Sequence, residues 1–588
     1  MNASRLLPRI SWGLVVVAMF TFVATRWVVP VGGAASAVEV AAAQPVSIAA
    51  TGSNPAAVKP SIVLPPATAG ITASPAAPLP AATVAPLPAA PVPAAPVPAA
   101  TVGVSGAIVE QMAAASPEVP VLAWPGTIDP NLVPAEREKI PVAPVVSDAA
   151  QSGKPWGTTV QGLLTFRGNP TRSYHGSGPV PANPQVQWKY PGRAMCGASY
   201  EYGITKQWCG TGWTGQPAVF ERDGRTWLVF GAYDYKIHFV DAATGVDIIP
   251  PFPTGDIAKG AITVDPDGYP LIYAGSRDNK YRVIAFDRAV PTELWSLDAH
   301  SVEPTLWNDD WDAAGLVVND WLIEGGENSR LHLIKLNRSY GADGLVTADP
   351  VLAWHGAGWD DELLANTPDV RVSLESSVML LGDIAYVASS GGLVQGWDVS
   401  VIRTGVGEPH RVFRFWTGDD TDATIVGDAD GYIYVGVEVD RNLRRVRDVG
   451  QLLKLDPRQP DDPIVWKVDV NFGIDSGTWS TPAIVGDTII WPTKPGRIYG
   501  LDRASGATKW ELKVVGPVLS SPAVVDGVLM QADGAGVIHA YNLGDGSTTP
   551  TERWSLRLNA NVESTPAVWN GRLYVGDRSG FMYAIGDA

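Results

Sequence analysis

Residues 480–588 repeat one pattern three times. Each copy reads as a short apolar segment after a Pro-Ala pair, a Gly-containing turn, a second apolar segment, another Gly-rich turn and a third segment. The turns Asp526-Gly527 and Asn570-Gly571 supply the positive φ that tight β-hairpins need. Small sheets repeated along a chain bury their faces by packing against their neighbours. The repeat therefore predicts an all-β fold, a β-propeller.

A fourth strand carrying an aromatic residue extends the pattern upstream. The aromatic positions are Phe252, Trp295, Trp354, Trp416, Trp466, Trp510 and Trp554. Large rings at one position per sheet fill the wedge between adjacent sheets, so we expect them to be structural. The last copy lacks its own fourth strand, and residues 184–190 have the fourth-strand pattern. We therefore predict an eight-bladed β-propeller over residues 186–588, closed by this N-terminal strand, which removes exposed edges.

Three segments precede the predicted propeller. Arg5 and Arg9 come before an uncharged apolar stretch over residues 10–25, a pattern that places the rest of the chain outside the cytoplasm, on the periplasmic or extracellular side. We expect residues 1–30 to be a membrane-bound signal anchor or a signal peptide, the latter cleaved near Ala35-Ser36-Ala37. Residues 31–150 are predicted to be a disordered linker, since residues 51–100 contain 16 Ala and 13 Pro. Residues 151–185 form a lead-in segment.

Residues 501–510 (LDRASGATKW) and 520–527 (SSPAVVDG) resemble the pyrroloquinoline-quinone-type propeller repeat. That repeat occurs in quinoprotein alcohol dehydrogenases and in the propeller subunit of the outer-membrane β-barrel assembly machine. The second resemblance implies protein docking. The first implies a quinone held between a Trp and a disulfide of adjacent cysteines, with calcium on the quinone and an Asp as base. The two cysteines here, Cys196 and Cys209, are not adjacent, so no catalytic residue is carried over. In an exported protein we expect them to form a structural disulfide.

Four successive loops that lead from a fourth strand into the next blade are acidic. They are Asn308–Asp312, Gly358–Glu362, Thr417–Asp422 and Gly473–Trp479. In a propeller these connections share one face, so the sequence predicts a mouth lined by carboxylates and Trp rings. The predicted metal ligands are Asp309, Asp310, Asp312, Asp360, Asp361, Asp420, Asp422 and Asp475. The predicted ligand-stacking residues are Trp311, Trp359 and Trp479. Oxygen ligands suit calcium; a sugar, a basic segment of a partner, or plain solvated loops are the alternatives.

The charge balance restricts the partner further. The chain carries 60 acidic and 43 basic side chains, a net charge of −17, which argues against nucleic acid because phosphates need clustered Lys and Arg. We predict a non-catalytic, exported binding or scaffolding module of the cell envelope, which contacts an envelope protein or a small ligand through its acidic face. The rival hypotheses are a dehydrogenase using calcium and pyrroloquinoline quinone, and a carbohydrate-binding sensor module.

Overall fold

Eight antiparallel sheets follow one another along the chain, as the repeat predicts. The computed structural model describes residues 145–201, 203–213 and 215–588. Each sheet has four blade strands, and two sheets gain a fifth strand from the lead-in segment. The alternation of apolar residues places one stripe of each blade against the next, and buried clusters lie between neighbouring blades. The predicted eight-bladed β-propeller is confirmed.

The strands have the following bounds. The lead-in segment contains β1 (Gly162–Leu163), β2 (Gly176–Ser177) and β3 (Pro184–Tyr190), and the hairpin β4 (Cys196–Glu201) and β5 (Ile204–Cys209) follows. Blade one has β6 (Ala218–Arg222), β7 (Arg225–Ala232), β8 (Lys236–Asp241) and β9 (Phe252–Pro253); blade two has β10 (Thr263–Val264), β11 (Leu271–Gly275), β12 (Lys280–Ala285) and β13 (Thr292–Asp298). Blade three has β14 (Leu316–Val318), β15 (Trp321–Gly326), β16 (Arg330–Lys335) and β19 (Val351–Ala357), with an inserted hairpin of β17 (Ser339–Tyr340) and β18 (Val346–Thr347). Blade four has β20 (Met379–Leu381), β21 (Ile384–Ala388), β22 (Leu393–Asp398) and β23 (His410–Trp416).

The second half continues in the same order. Blade five has β24 (Val426–Gly427), β25 (Ile433–Gly436), β27 (Leu452–Leu455) and β28 (Ile464–Val468), and a ribbon of β26 (Glu438–Val439) and β29 (Ser476–Gly477) lies beside it. Blade six has β30 (Ala483–Val485), β31 (Thr488–Thr493), β32 (Arg497–Asp502) and β33 (Thr508–Lys513); blade seven has β34 (Ala523–Val525), β35 (Val528–Ala532), β36 (Val537–Asn542) and β37 (Thr551–Arg557). Blade eight has β38 (Ala567–Trp569), β39 (Arg572–Asp577) and β40 (Phe581–Asp587). The short helices are α1 (Asp361–Asn366), α2 (Val401–Thr404) and α3 (Arg444–Val449), with 3-10 turns at Ala149–Gln151 and Ala299–Ser301.

The ring closes through β3, the N-terminal strand predicted for this role. It pairs antiparallel with β40, with Val186 opposite Ile585 and Tyr190 opposite Met582. Blade eight is therefore assembled from both ends of the propeller sequence: β38, β39 and β40 come from the C-terminal end, and β3 from the N-terminal end supplies the fourth strand.

The fourth-strand tryptophans join adjacent blades. The indole nitrogen of Trp466 donates to the carbonyl of Arg503, and that of Trp510 donates to Gly546, each in the next blade. Trp188 of the closing strand donates to Ala242 in the same manner. The rings lie between the sheets, so the structural role predicted for them holds at these positions.

The lead-in segment fills the centre of the ring. Its two arginines, Arg167 and Arg172, are fully buried, and burial lowers the pKa of each to about 9, so both stay charged at neutral pH. Arg167 donates to the carbonyls of Pro482 and Pro522, just before the innermost strands of blades six and seven. Arg172 donates to the carbonyls before the innermost strands of blades three and four, those of Ala314 (2.6 Å) and Val378 (2.7 Å).

The described residues begin inside the predicted linker. Val146 is buried against blade four, and Ser147 pairs with Gly382, so residues 145–150 belong to the folded domain and the prediction of disorder is wrong for them. The predicted anchor, residues 1–30, and the rest of the linker lie outside the described residues. Among the residues that the structure describes, no helix has the length and apolar character needed to cross a membrane.

Candidate functional site

A cavity of about 220 Å³ opens on the face where each fourth strand leads into the next blade. It narrows to a smaller space lined by Phe166 of the lead-in segment. Because the lead-in segment occupies the ring centre, the cavity has a floor and is not a channel. We call it the acidic cup and define it by its carboxylates. They are Glu201, Asp312, Glu327, Glu375, Asp420, Asp422, Glu438 and Asp440.

Four of the eight predicted metal ligands come together here. Asp312, Asp420 and Asp422 line the acidic cup, and Asp310 lies beneath it, fully buried. Asp312 and Asp422 each precede the innermost strand of a blade by four residues, which aims both at the ring axis. Asp310 and Asp420 each lie two residues earlier in the same loops. The acidic loops that lead into blades three and five thus place carboxylates around one cavity, and the role of these residues as metal ligands stays a prediction.

The other four predicted ligands lie elsewhere. Asp360 caps α1 and pairs with Arg411 (2.9 Å) and Arg414 (2.8 Å), which lower its pKa, and Asp361 lies in the first turn of that helix. Asp475 is exposed at the rim. Asp309 faces a neighbouring cavity. The structure therefore does not bring these four residues together with the cup carboxylates. For Asp360 the reason is that the loop after blade three forms α1, where Asp360 pairs with arginines of blade four.

Only one of the three predicted stacking residues lines the acidic cup. Trp479 does so, with its ring 5.0 Å from that of Trp213. Trp311 is buried between blades, 5.4 Å from Tyr281, and its indole donates to the carbonyl of Asn279. The guanidinium of Arg330 covers the ring of Trp359 at 4.7 Å. Trp311 and Trp359 therefore serve packing rather than the predicted ligand stacking.

Sequence reasoning missed several lining residues that a positional rule identifies. In five consecutive blades the residue four positions before the innermost strand lines the cavity. In blades two to six it is Lys259, Asp312, Glu375, Asp422 and Trp479. Comparison of this one position between blades would have found Lys259 and Glu375. Glu438 carries no such signal, because it comes from the insertion after β25.

Blade three contributes a group that we call the lysine triad: Asp310, Asp312 and Glu327. The Nζ atom of Lys259 lies 2.8 Å from Asp310 and 2.7 Å from Asp312, and 3.7 Å from Glu327. Burial lowers the pKa of Lys259, but the three carboxylates raise it well above its usual value overall. Burial and the charge of Asp310 raise the pKa of Asp312 to about 7. The triad thus encloses an internal ammonium.

The lysine triad does not fit calcium as it stands. Its ligand atoms lie within 4.8 Å of one another, which suits a metal ion. However, the Lys259 ammonium occupies the position between Asp310 and Asp312 that the ion would need.

Blade five contributes an equivalent group, the open triad: Asp420, Asp422 and Glu438. Burial and the neighbouring carboxylates raise the pKa of all three. Within the part of the chain that the structure describes, Asp420 Oδ1 and Glu438 Oε2 are buried without a hydrogen-bond partner. Two cationic side chains lie near this triad, but neither is within hydrogen-bond distance of the carboxylate it faces. Arg441 lies 3.8 Å from Asp420, and Lys494 lies 4.0 Å from Glu438.

Pyrroloquinoline quinone does not fit the charge of the acidic cup. The quinone carries three carboxylates, and eight carboxylates line the cup against three cationic side chains, Lys259, Arg277 and Arg371. Anions repel one another strongly where water is scarce. We therefore derive no redox step for this site.

The cysteines stabilise one wall of the acidic cup. Cys196 and Cys209 form a disulfide at the base of the β4–β5 hairpin, where they are paired partners. The same hairpin carries Glu201 and Trp208 to the cavity. The disulfide therefore fixes the hairpin that brings both residues there.

Parts of the chain are similar to known proteins. Residues 450–586 match a family model described as outer membrane protein assembly factor BamB. A crystal structure of BamB from Moraxella catarrhalis is similar at 14% identity, covering 68% of this chain and 97% of that chain, with a TM-score of 0.44. A crystal structure of the computationally designed Ika8 protein is similar at 14% identity, covering 64% and 98%, with a TM-score of 0.39. No curated protein sequence gives a significant match.

The fold defines the class: the chain is an eight-bladed β-propeller. Residues 450–586 of this propeller resemble the family model described as the assembly factor BamB.

Proposed function

We propose that this protein is a non-catalytic binding module that recognises a partner protein through the acidic cup, outside the cytoplasm in the cell envelope. One observation carries the proposal, the excess of carboxylates over cationic side chains around one floored cavity. A concave site lined by one sign of charge concentrates the field and attracts the opposite charge. The partner therefore presents a basic segment.

The rim of the acidic cup supports a protein partner rather than a small ion alone. Phe472 and Ile474 lie in the loop that pairs with the Glu438 strand, and they are 57% and 69% exposed. Exposed apolar side chains beside a charged depression are typical of protein interfaces. A basic side chain in the cup and apolar contacts on the rim would together suit one segment of a partner.

The envelope location is a proposal supported by the apolar N-terminal stretch at residues 10–25 and by the description of the matching family as an outer membrane assembly factor. Alkaline phosphatase fused after Ala588 tests it, because that enzyme needs an oxidising compartment. We expect an active fusion. An inactive but stable fusion would contradict export.

Site-specific photocrosslinking tests the binding face. A benzoylphenylalanine at Phe472 reports on the rim, and one at Val406, which is 58% exposed between third and fourth strands on the opposite face, is the control. In living cells we expect one discrete protein adduct at position 472 that is absent at 406. Its yield should fall when Asp420→Asn and Asp422→Asn are combined. An adduct at 406 alone, or one insensitive to these substitutions, would place the interface elsewhere.

A further inference from the structure

The acidic cup contains two equivalent carboxylate triads with different occupants. Asp310 and Asp420 occupy the same position in blades three and five, as do Asp312 and Asp422. Glu327 follows β15 directly, and Glu438 comes one position later after β25. The third carboxylate of both triads thus comes from the connection between second and third strands.

The difference lies in the residue that the preceding blade supplies. Blade two supplies Lys259 to the lysine triad, and its ammonium contacts Asp310 and Asp312. At the same position blade four supplies Glu375. The open triad therefore gains a fourth carboxylate where its counterpart gains a cation. Ser390 lies within hydrogen-bond distance of both Glu375 (3.1 Å) and Asp422 (3.2 Å), but one hydroxyl donates only one hydrogen.

A buried carboxylate oxygen without a hydrogen-bond partner marks the position that a ligand would fill. Glu438 is 93% buried, lines the cavity, and its Oε2 has no hydrogen-bond partner among the described residues. Buried charges are normally paired, because burying one alone costs several kcal/mol. Arg441 and Lys494 are held by Asp369 (3.0 Å) and Asp475 (2.5 Å), respectively.

Resting on the function proposed above, we propose that the open triad binds the side-chain ammonium of a lysine presented by the partner. The internal Lys259 shows the chemistry that this arrangement of carboxylates accepts. The wall beside the site also suits a lysine, because Trp479 already accepts the ammonium of Lys494 at 3.8 Å from its ring centre. The methylene stem of a bound lysine would cross the exposed rim at Phe472 and Ile474.

Fluorescence titration of the purified full-length protein tests the proposal, since Trp213 and Trp479 line the cup. The probes are three acetylated, amidated Gly-X-Gly peptides in which X is lysine, arginine or norleucine, and calcium chloride. We expect saturable binding of the lysine peptide and none of the norleucine peptide. Glu438→Gln should weaken lysine-peptide binding at least tenfold.

A second variant places a cationic side chain of the protein itself beside the open triad. Glu375→Lys rebuilds the blade-two arrangement at blade five, so it should abolish lysine-peptide binding and raise the melting temperature. Glu408→Lys makes the same charge change on an exposed loop of the opposite face and should leave binding unchanged.

Three binding results for the unsubstituted protein would overturn the lysine site. They are equal binding of the norleucine peptide, tenfold tighter binding of arginine than of lysine, and calcium that binds more tightly and displaces the peptide. Retention of lysine-peptide binding by both Glu438→Gln and Glu375→Lys would also overturn it. A charge-dependent crosslink at position 472 without any lysine-peptide binding would reject this inference and leave the proposed docking function intact.

Discussion

Lys259 shows how one residue neutralises a buried group of carboxylates. Its ammonium is the shared counter-charge of Asp310 and Asp312. Removing one partner of a buried ion pair leaves uncompensated charge, which costs more than the pair contributes. Lys259 is thus required for the stability of the cup before it has any role in recognition.

Substitution Lys259→Met should destabilise the protein by about 3–5 kcal/mol at pH 8. The loss should be smaller at pH 5, because Asp312 and Glu327, whose pKa values burial already raises, can then bind protons. Urea unfolding at the two pH values measures the difference. Lys513→Met, on an exposed outer strand, is the control and should change little. An equal loss at both pH values would show that the ammonium does not neutralise these carboxylates.

Asp420 gives the opposite expectation, because no cation neutralises it fully. Burial and repulsion from Glu438 raise its pKa in the folded protein, whereas an unfolded Asp has a pKa of about 3.9. The folded state therefore binds the proton more tightly, and stability falls as pH rises from about 4 through the raised pKa.

Asp420→Asn should accordingly stabilise the protein at pH 8 and have no effect near pH 4. Thermal unfolding across this range measures it, with the exposed Asp461→Asn as the matched control. A lower melting temperature for Asp420→Asn at pH 8 would mean that the carboxylate is already well paired.

At the scale of elements, the lead-in segment contacts several blades from the centre of the ring. It carries Phe166 to the floor of the cup and two buried guanidiniums to the ring centre. Hydrogen bonds from a charged donor contribute about 1.5–3 kcal/mol each. The bonds of Arg172 to the carbonyls of Ala314 and Val378 join blades three and four.

Arg172→Met should therefore cost about 3 kcal/mol or more, since it leaves those carbonyls unsatisfied in the interior. Guanidinium chloride unfolding measures the loss. Arg444→Met removes a 93% exposed arginine and should be close to neutral. If Arg172→Met were as stable as Arg444→Met, the hydrogen bonds of Arg172 would not contribute to the stability of the propeller.

The sequence predicted the blades but not the lead-in segment that fills the centre of the ring. Blade strands follow from local alternation, turn residues and the recurring Trp, all of which lie within one repeat. The path of residues 151–185 does not, because Arg167 and Arg172 become buried only once the ring surrounds them. Which acidic residues lie together also depends on how the blades are arranged around the ring. Four predicted acids, including Asp310 and Asp420, lie at one cavity, whereas Asp360 pairs with arginines of the next blade.

At the scale of the whole molecule, every blade has two neighbours because β3 completes blade eight. The seam between blade eight and blade one then uses the same contact as the others: Trp188 donates to Ala242 as Trp510 donates to Gly546. A closed ring has no terminal blade that can fray independently, so weakening any one seam should destabilise the ring as a whole.

Trp510→Ala should destabilise the propeller by about 3–5 kcal/mol, the usual cost of truncating a buried aromatic ring. Trp188→Ala removes a half-buried ring and should cost less. Both variants should unfold in one transition in which near-ultraviolet and far-ultraviolet circular dichroism change together. Val515→Ala removes a side chain that is 87% exposed and serves as the control. If Trp188→Ala alone produced two separate transitions, the N-terminal strand would be a detachable cover over blade eight. A single transition in both variants would instead mean that the closing strand and the internal seams form one cooperative unit, which holds the two triads of the acidic cup at a fixed separation.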